Sequence, residues 1–260
     1  MTIELITFPL SHFCEKARWA LDRAGIDHTE VGHLPMLQIP AVRRAGGARQ
    51  VPVLVSDGAG VPDSTAILHW IDQRVDKSKR LFPEEPALRR EVEEWEERFD
   101  KTLGPAARRI AYLHLLPEAA RLQRYLVFAL PRWEKKLFAI YRPLLALIIR
   151  KALRVTAANA ARDEEKLRAL FEEVAARLAD GRHYLVGDRF TAADLTFASL
   201  GAPLLQPANY GVPLPPLDEL PAGLRERVLH YRETPAGKFL LRLYQQERGI
   251  SRLRQTVRAA

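Results

Sequence analysis

The chain is poor in cysteine: Cys14 is alone among 260 residues, which excludes an internal disulfide framework and a cysteine-rich zinc site. It contains no His-Glu-x-x-His metal motif, no Walker phosphate loop and no G-x-G-x-x-G turn. The sequence therefore gives no support to a metal or nucleotide enzyme, and we expect no bound metal. No basic segment followed by an apolar run opens the chain, so we expect a cytoplasmic protein without a secretory signal.

A long uninterrupted apolar run is also missing. Residues 137–153 form the most apolar long segment, but Arg142, Pro143, Arg150 and Lys151 interrupt it. A spanning helix needs about 20 apolar residues, so we expect no transmembrane segment. We predict a buried or pocket-lining helix here, in preference to a helix lying on a membrane surface.

The formal net charge is +8, but lysine and arginine are interleaved with acidic residues along most of the chain. No RNA-binding motif with interleaved aromatics is present, so we interpret the basicity as a solvated surface and expect no nucleic-acid partner. Residues 248–258 are more one-sided, with four arginines and no acid. We predict that they form a fraying basic helix end. Weak binding of anions to this end is the alternative.

The first 78 residues combine strand and helix patterns. Apolar runs at 3–8 and 51–55 predict two strands, and we expect a further strand at 27–32 and a short edge strand that ends at Val61. A helical pattern covers 12–24, a less regular segment covers 36–46, and a third helix begins at Asp63 or Ser64. The predicted order is β-α-β-α-β-β-α.

Beyond a polar segment at 76–86 the sequence shows no strand pattern. Helical periodicity covers 87–103, 163–179, 222–233 and 235–248, and 192–200 is apolar nearly all round, as in a buried helix. The stretch 203–221 is rich in proline and predicts a loop. We therefore predict two domains, an α/β domain at 1–78 and an all-helical domain at 87–260.

The junction between the first strand and the first helix concentrates reactive side chains. Ser11, His12 and Cys14 all lie at this helix N-terminus. Free N–H groups and the positive end of the helix dipole favour an anion there. A thiolate is such an anion, whether it belongs to the protein or to a ligand.

These features together resemble the cytosolic glutathione S-transferase superfamily, and in particular its bacterial-type group with Ser or Cys in the active site. The resemblance is carried by the strand–Ser-x-x-Cys–helix junction, the Val51-Pro52 strand, the Asp63-Ser64 helix start, and Gly-Asp-Arg-Phe-Thr-Ala-Ala-Asp-Leu at 187–195. It implies a thioredoxin-like domain followed by an all-α domain, a homodimer, and glutathione as co-substrate. Thr191 and Asp194 form a variant capping box, to which we assign a folding role.

The resemblance also implies a glutathione site. The backbone of Val51, before a cis Pro52, pairs with the cysteinyl part of glutathione. Asp63 and Ser64 at the helix start bind the γ-glutamyl group. Gln50 is either near the glycine carboxylate or an ordinary solvated loop residue.

At the junction itself, Ser11 is implied as the donor that stabilises the glutathione thiolate, with Phe13 beside it in the glutathione-binding set. Cys14 is the competing candidate, since a mixed disulfide with glutathione would give reductase or peroxidase chemistry. Otherwise Cys14 is a small buried apolar residue. We interpret His12 as an exposed first-turn residue and not as a further donor.

Three functions remain open at this point. The leading one is addition of the glutathione thiolate to a hydrophobic electrophile, in a pocket between the domains with Tyr112, Leu116 and Trp133 as candidate lining residues. The second is a Cys14-dependent thiol transferase or peroxidase. The third is a non-catalytic glutathione-transferase-like binding protein, with the unusual 105–160 segment as its partner surface.

Overall fold

The structure is a computed structural model that describes residues 2–249 and residue 251. Its first part follows the predicted β-α-β-α-β-β-α order. The elements are β1 (Ile3–Thr7), α1 (His12–Ala24), β2 (Thr29–Gly32), α2 (Ile39–Arg44), β3 (Val53–Ser56), β4 (Ala59–Pro62) and α3 (Ser64–Asp72).

The four strands form one mixed sheet in the order β2-β1-β3-β4. β1 pairs with β2 in parallel and with β3 antiparallel, and β3 pairs antiparallel with β4. The parallel pair is joined through α1, which crosses over the sheet as parallel connections require. Leu5, Leu21, Leu54 and Ile67 join strands and helices in one buried core.

The second part is helical. Its helices are α4 (Pro86–Arg98), α5 (Gly104–Leu115), α6 (Gln123–Leu126), α7 (Arg132–Ala152), α8 (Ala157–Leu178), α9 (Ala192–Leu205), α10 (Ala222–Glu233) and α11 (Pro235–Gln246), with a π-helical turn (Phe99–Leu103) between α4 and α5. The predicted α/β unit followed by an all-helical unit is therefore confirmed. The predicted loop at 203–221 starts too early, because Pro203 lies inside the last turn of α9.

The buried helix α9 is the centre of the helical part, and the capping residue Asp194 fixes its start. Asp194 accepts hydrogen bonds from the Thr191 N–H and hydroxyl, both at 2.9 Å, and from the Leu185 N–H at 2.8 Å. Burial raises the pKa of this carboxyl to about 6. Every residue of α9 except Pro203 is buried, so this cap holds a helix that has almost no contact with water.

Helix α1 packs against both parts of the molecule and carries two buried charge clusters. In the first, Lys16 donates to the Thr65 hydroxyl at 3.1 Å and to Asp100 at 3.0 Å, and it also contacts Glu96. Burial raises the pKa of Asp100 to about 6, while the Lys16 charge opposes the shift. The cluster ties α1 and α3 to α4 and the turn that follows it.

The second cluster surrounds Arg18. Its guanidinium nitrogens lie 2.6 Å from a carboxylate oxygen of Glu15 and 2.6 Å from one of Glu30. Arg248 also reaches Glu15, at 2.7 Å, and Asp22, at 3.0 Å. The prediction of a basic helix end is therefore wrong for Arg248, which is buried beyond the end of α11 and paired with α1. The other three arginines of that stretch lie outside the described residues.

Candidate functional site

The junction between β1 and α1 places Ser11 at the N-cap of α1. Ser11 is in an extended conformation, and its hydroxyl makes no capping hydrogen bond to the helix. Its N–H instead donates to the Phe8 carbonyl at 2.8 Å, which closes a tight turn after the strand. Ser11 is thus half-buried at a helix N-terminus, and its hydroxyl, which also interacts with the Cys14 thiol, is not used as a helix cap.

Cys14 lies one turn further along α1 and is fully buried. Burial raises the pKa of its thiol to about 12, although the Arg18 charge and the Ser11 hydroxyl act in the opposite direction. The thiol is therefore protonated at neutral pH, and a protonated thiol is a poor nucleophile. Cys14 is also absent from the wall of the cavity that Ser11 lines.

The structure corrects the interpretation of His12 as exposed: it is 4% exposed. Its Nε2 lies 3.1 Å from the Gly104 carbonyl oxygen, which can only accept, so Nε2 carries the proton and donates. Burial lowers the pKa of His12 to about 3, and the nearby Arg108 charge acts in the same direction. His12 is therefore a neutral imidazole that joins α1 to α5.

The predicted backbone site before Pro52 has a distinctive geometry. The Val51–Pro52 peptide bond is cis. Within residues 2–249 and 251, the Val51 N–H and carbonyl make no hydrogen bond. Both Val51 and Pro52 line the same cavity as Ser11. The backbone groups of Val51 are consequently available for strand-like pairing with an extended ligand.

The start of α3 contributes Asp63 and Ser64. Asp63 is the N-cap, and its carboxylate accepts from the Thr65 N–H at 2.8 Å and the Ala66 N–H at 3.4 Å. Its φ of 76° is unusual for a residue with a side chain, and such strained residues cluster at functional sites. Because Asp63 caps the helix, Ser64 keeps its hydroxyl and N–H for the cavity, which it lines.

One large cavity brings these residues together. Its volume is about 1180 Å³, and Ser11, Val51 and Ser64 lie in its wall. Gln50 lies in the same wall and is exposed, consistent with a place at the rim. The charged residues of the wall are three arginines and one aspartate: Arg43, Arg49, Arg108 and Asp63. This balance favours an anionic ligand.

The remainder of the cavity is apolar and is built by the helical part. Tyr112 and Leu116, two of the predicted pocket residues, line it. Trp133 does not, because it lies on the outer side of α7 and is 56% exposed. Inner-side residues of α7 line the cavity instead, among them Leu145, Ile148 and Ile149. The prediction of a pocket-lining helix is thus correct for one side of α7 only.

Arg108 on α5 is a site residue that the sequence analysis missed. Its guanidinium lies 6.0 Å from the centroid of the Phe13 ring, and Phe13 lines the cavity. Within the described chain, Arg108 Nε is buried without a hydrogen-bond partner. Burial lowers the pKa of Arg108. An unpaired, partly desolvated cation beside His12 is well placed to attract an anion.

Within residues 2–249 and 251, no group of three or more His, Cys, Asp or Glu side chains is arranged to hold a metal ion. None of the helices in this part of the chain combines the length and apolar character needed to cross a bilayer.

Comparison with known families identifies the fold. Residues 5–79 match the glutathione S-transferase N-terminal domain family, and residues 157–226 match the glutathione S-transferase C-terminal domain family. The two matches follow the order and position of the α/β and helical parts. The chain belongs to the cytosolic glutathione S-transferase superfamily.

Individual relatives are distant. Glutathione S-transferase U10 of Arabidopsis thaliana is 45% identical over 47 residues, which cover 18% of this chain and 20% of the plant protein. A Ceriporiopsis subvermispora glutathione S-transferase in complex with glutathione has 16% identity, a TM-score of 0.62, and coverage of 96% of this chain and 99% of its own. A Methylobacterium radiotolerans glutathione S-transferase in complex with glutathione sulfonate has 19% identity and a TM-score of 0.54, and the match covers 93% of this chain and 95% of that protein. At these sequence identities the two structures show only that the fold is shared.

Proposed function

We propose that the protein is a glutathione transferase that adds the glutathione thiolate to hydrophobic electrophiles. The observation that carries the proposal is that Ser11, Val51 and Ser64 lie in the wall of one cavity whose other walls are apolar. Two structural relatives were solved with glutathione or glutathione sulfonate bound. A homodimer and a cytoplasmic location remain predictions.

In this proposal each part of the site binds a different part of glutathione. Ser64 and the N–H at the start of α3 bind the γ-glutamyl carboxylate. The backbone of Val51 pairs with the cysteinyl residue, and Gln50 lies near the glycine carboxylate. The electrophile occupies the apolar space beside Tyr112 and Leu116.

The Ser11 hydroxyl is the donor to the thiolate. A free thiol has a pKa of about 8.5, and a donor that stabilises the anion increases the fraction ionised at neutral pH. The dipole of α1 and the unpaired charge of Arg108 act in the same direction. Burial of Cys14 and its raised pKa favour Ser11 over the Cys14-dependent alternative.

The test combines binding and turnover. Calorimetric titration of glutathione should show binding that Ser64→Ala weakens, while Ser78→Ala, at an exposed serine outside the cavity, should leave it unchanged. Ser11→Ala should lower kcat/KM for conjugation by about a hundredfold, the usual effect of removing one donor to a reacting anion. Cys14→Ala should stay within about tenfold of wild type.

The outcomes separate the three functions. Loss of disulfide reduction in Cys14→Ser with conjugation intact would favour the thiol transferase. Absence of a heat change, together with no thermal stabilisation at high glutathione concentration, would contradict both enzyme hypotheses and leave a binding protein.

A further inference from the structure

The outer side of α7 carries an apolar stripe. Trp133, Ile140, Leu144 and Leu147 are 56%, 81%, 54% and 63% exposed. They are separated by seven, four and three residues, so they share one face of the helix. Single exposed apolar residues are ordinary, but several of them along one face of a helix mark an interaction surface.

The opposite side of α7 fixes the orientation of this stripe. Phe138 and Leu145 are buried in a small cluster with Leu34 from the loop after β2. The buried Glu134 accepts hydrogen bonds from His33 Nδ1 and from the Leu34 N–H, both at 2.6 Å. The helix is therefore held by its inner side, and the outward position of the stripe is part of the fold.

The charge around the stripe has one sign. Residues 119–162 contain ten lysines and arginines but a single acid, Glu134, while the rest of the chain holds 30 cations and 31 acids. The formal positive charge is thus concentrated in this segment. Five of its cations are exposed on α7 with no ion-pair partner in the described chain: Arg132, Lys135, Lys136, Arg150 and Lys151.

We propose that α7 docks the protein on the surface of an anionic lipid bilayer. An apolar stripe with an interfacial tryptophan, flanked by unpaired cations, is the pattern of a helix that lies in the plane of the lipid headgroups. The charge argues against a second copy as occupant, because two such surfaces would bring cations together. The proposal does not depend on turnover of glutathione.

Sedimentation with lipid vesicles tests the proposal. The full-length protein should bind vesicles of equal parts phosphatidylcholine and phosphatidylglycerol, and bind vesicles of pure phosphatidylcholine at least tenfold more weakly. The double variant Ile140→Gln and Leu144→Gln should reduce binding by about tenfold or more. The matched control is Leu229→Gln on α10, at an apolar residue that is 50% exposed away from the stripe and should not change binding.

The contribution of the α7 cations and the depth to which the helix enters the lipid are tested separately. Lys135→Gln with Lys136→Gln should weaken binding to the anionic vesicles by about tenfold or more, whereas Arg225→Gln with Lys238→Gln, which lowers the net charge equally, should have little effect. Lipids with brominated acyl chains should quench tryptophan fluorescence, and Trp133→Phe should remove that quenching. Quenching of the wild-type fluorescence is measured with the stripe intact, and Trp133→Phe only identifies which tryptophan is responsible.

Three results would overturn the proposal. The first is no binding to the anionic vesicles, and the second is equal binding by wild type and the α7 variants. The third is self-association of wild type that Ile140→Gln and Leu144→Gln abolish in sedimentation velocity, because a second copy would then cover the stripe.

Discussion

His12 should make the stability of the protein sensitive to acid. Burial lowers the pKa of its imidazole from 6.5 to about 3, so below pH 6.5 the unfolded chain binds a proton that the folded chain does not. Stability is therefore lost as pH falls. One pKa unit corresponds to about 1.36 kcal/mol. Relative to neutral pH, His12 alone therefore lowers the free energy of unfolding by about 2 kcal/mol at pH 5 and by about 3 kcal/mol at pH 4.

The assay is urea unfolding of wild type and His12→Gln between pH 7.5 and 4. Other titrating groups, such as the buried Asp194, contribute equally to both proteins and cancel in the difference. The free-energy difference should change by about 2 kcal/mol in favour of the variant between neutral pH and pH 5. The control, His230→Gln at an exposed histidine of α10, should follow wild type. A constant offset between wild type and His12→Gln across the range would refute the reasoning.

Two further predictions concern buried polar groups. Lys16→Met should destabilise the protein by about 3–5 kcal/mol, measured by chemical denaturation, because the buried Glu96 and the half-buried Asp100 lose their cation. Unchanged stability would contradict the role of this cluster. Asp194→Ala should cost about 2–4 kcal/mol, because the N–H groups of Leu185 and Thr191 lose their acceptor at the start of α9. Near-normal thermal unfolding of that variant would show that water replaces the carboxylate.

The fold could be predicted from the sequence because its signals are local. The strand that ends before Ser11, the proline at position 52 and the helix start at Asp63 each lie within a few residues of the structure they determine. The capping role of Asp194 is local as well, since it closes on Thr191 three residues away. Such patterns depend on backbone chemistry that one sequence displays directly.

The structural features that the sequence did not predict depend on contacts between residues that are far apart in the chain. His12 is buried because Gly104, 92 residues away, packs against it. Arg108 likewise reaches the cavity only because α5 packs beside the start of α1. Arg248 is buried because it pairs with acidic residues of α1. In α7 the apolar composition was evident, but only tertiary packing determines which side is covered and leaves Ile140 in solvent.

The cluster around Lys16 has a consequence for protein engineering. A chimera that joins residues 1–78 to the helical half of a relative would place this lysine against foreign side chains. If those side chains did not include carboxylates at the positions of Glu96 and Asp100, the transplanted half would enclose an unpaired ammonium group. A chimera that keeps Lys16 therefore has to keep an acid at each of these two positions in the helical half.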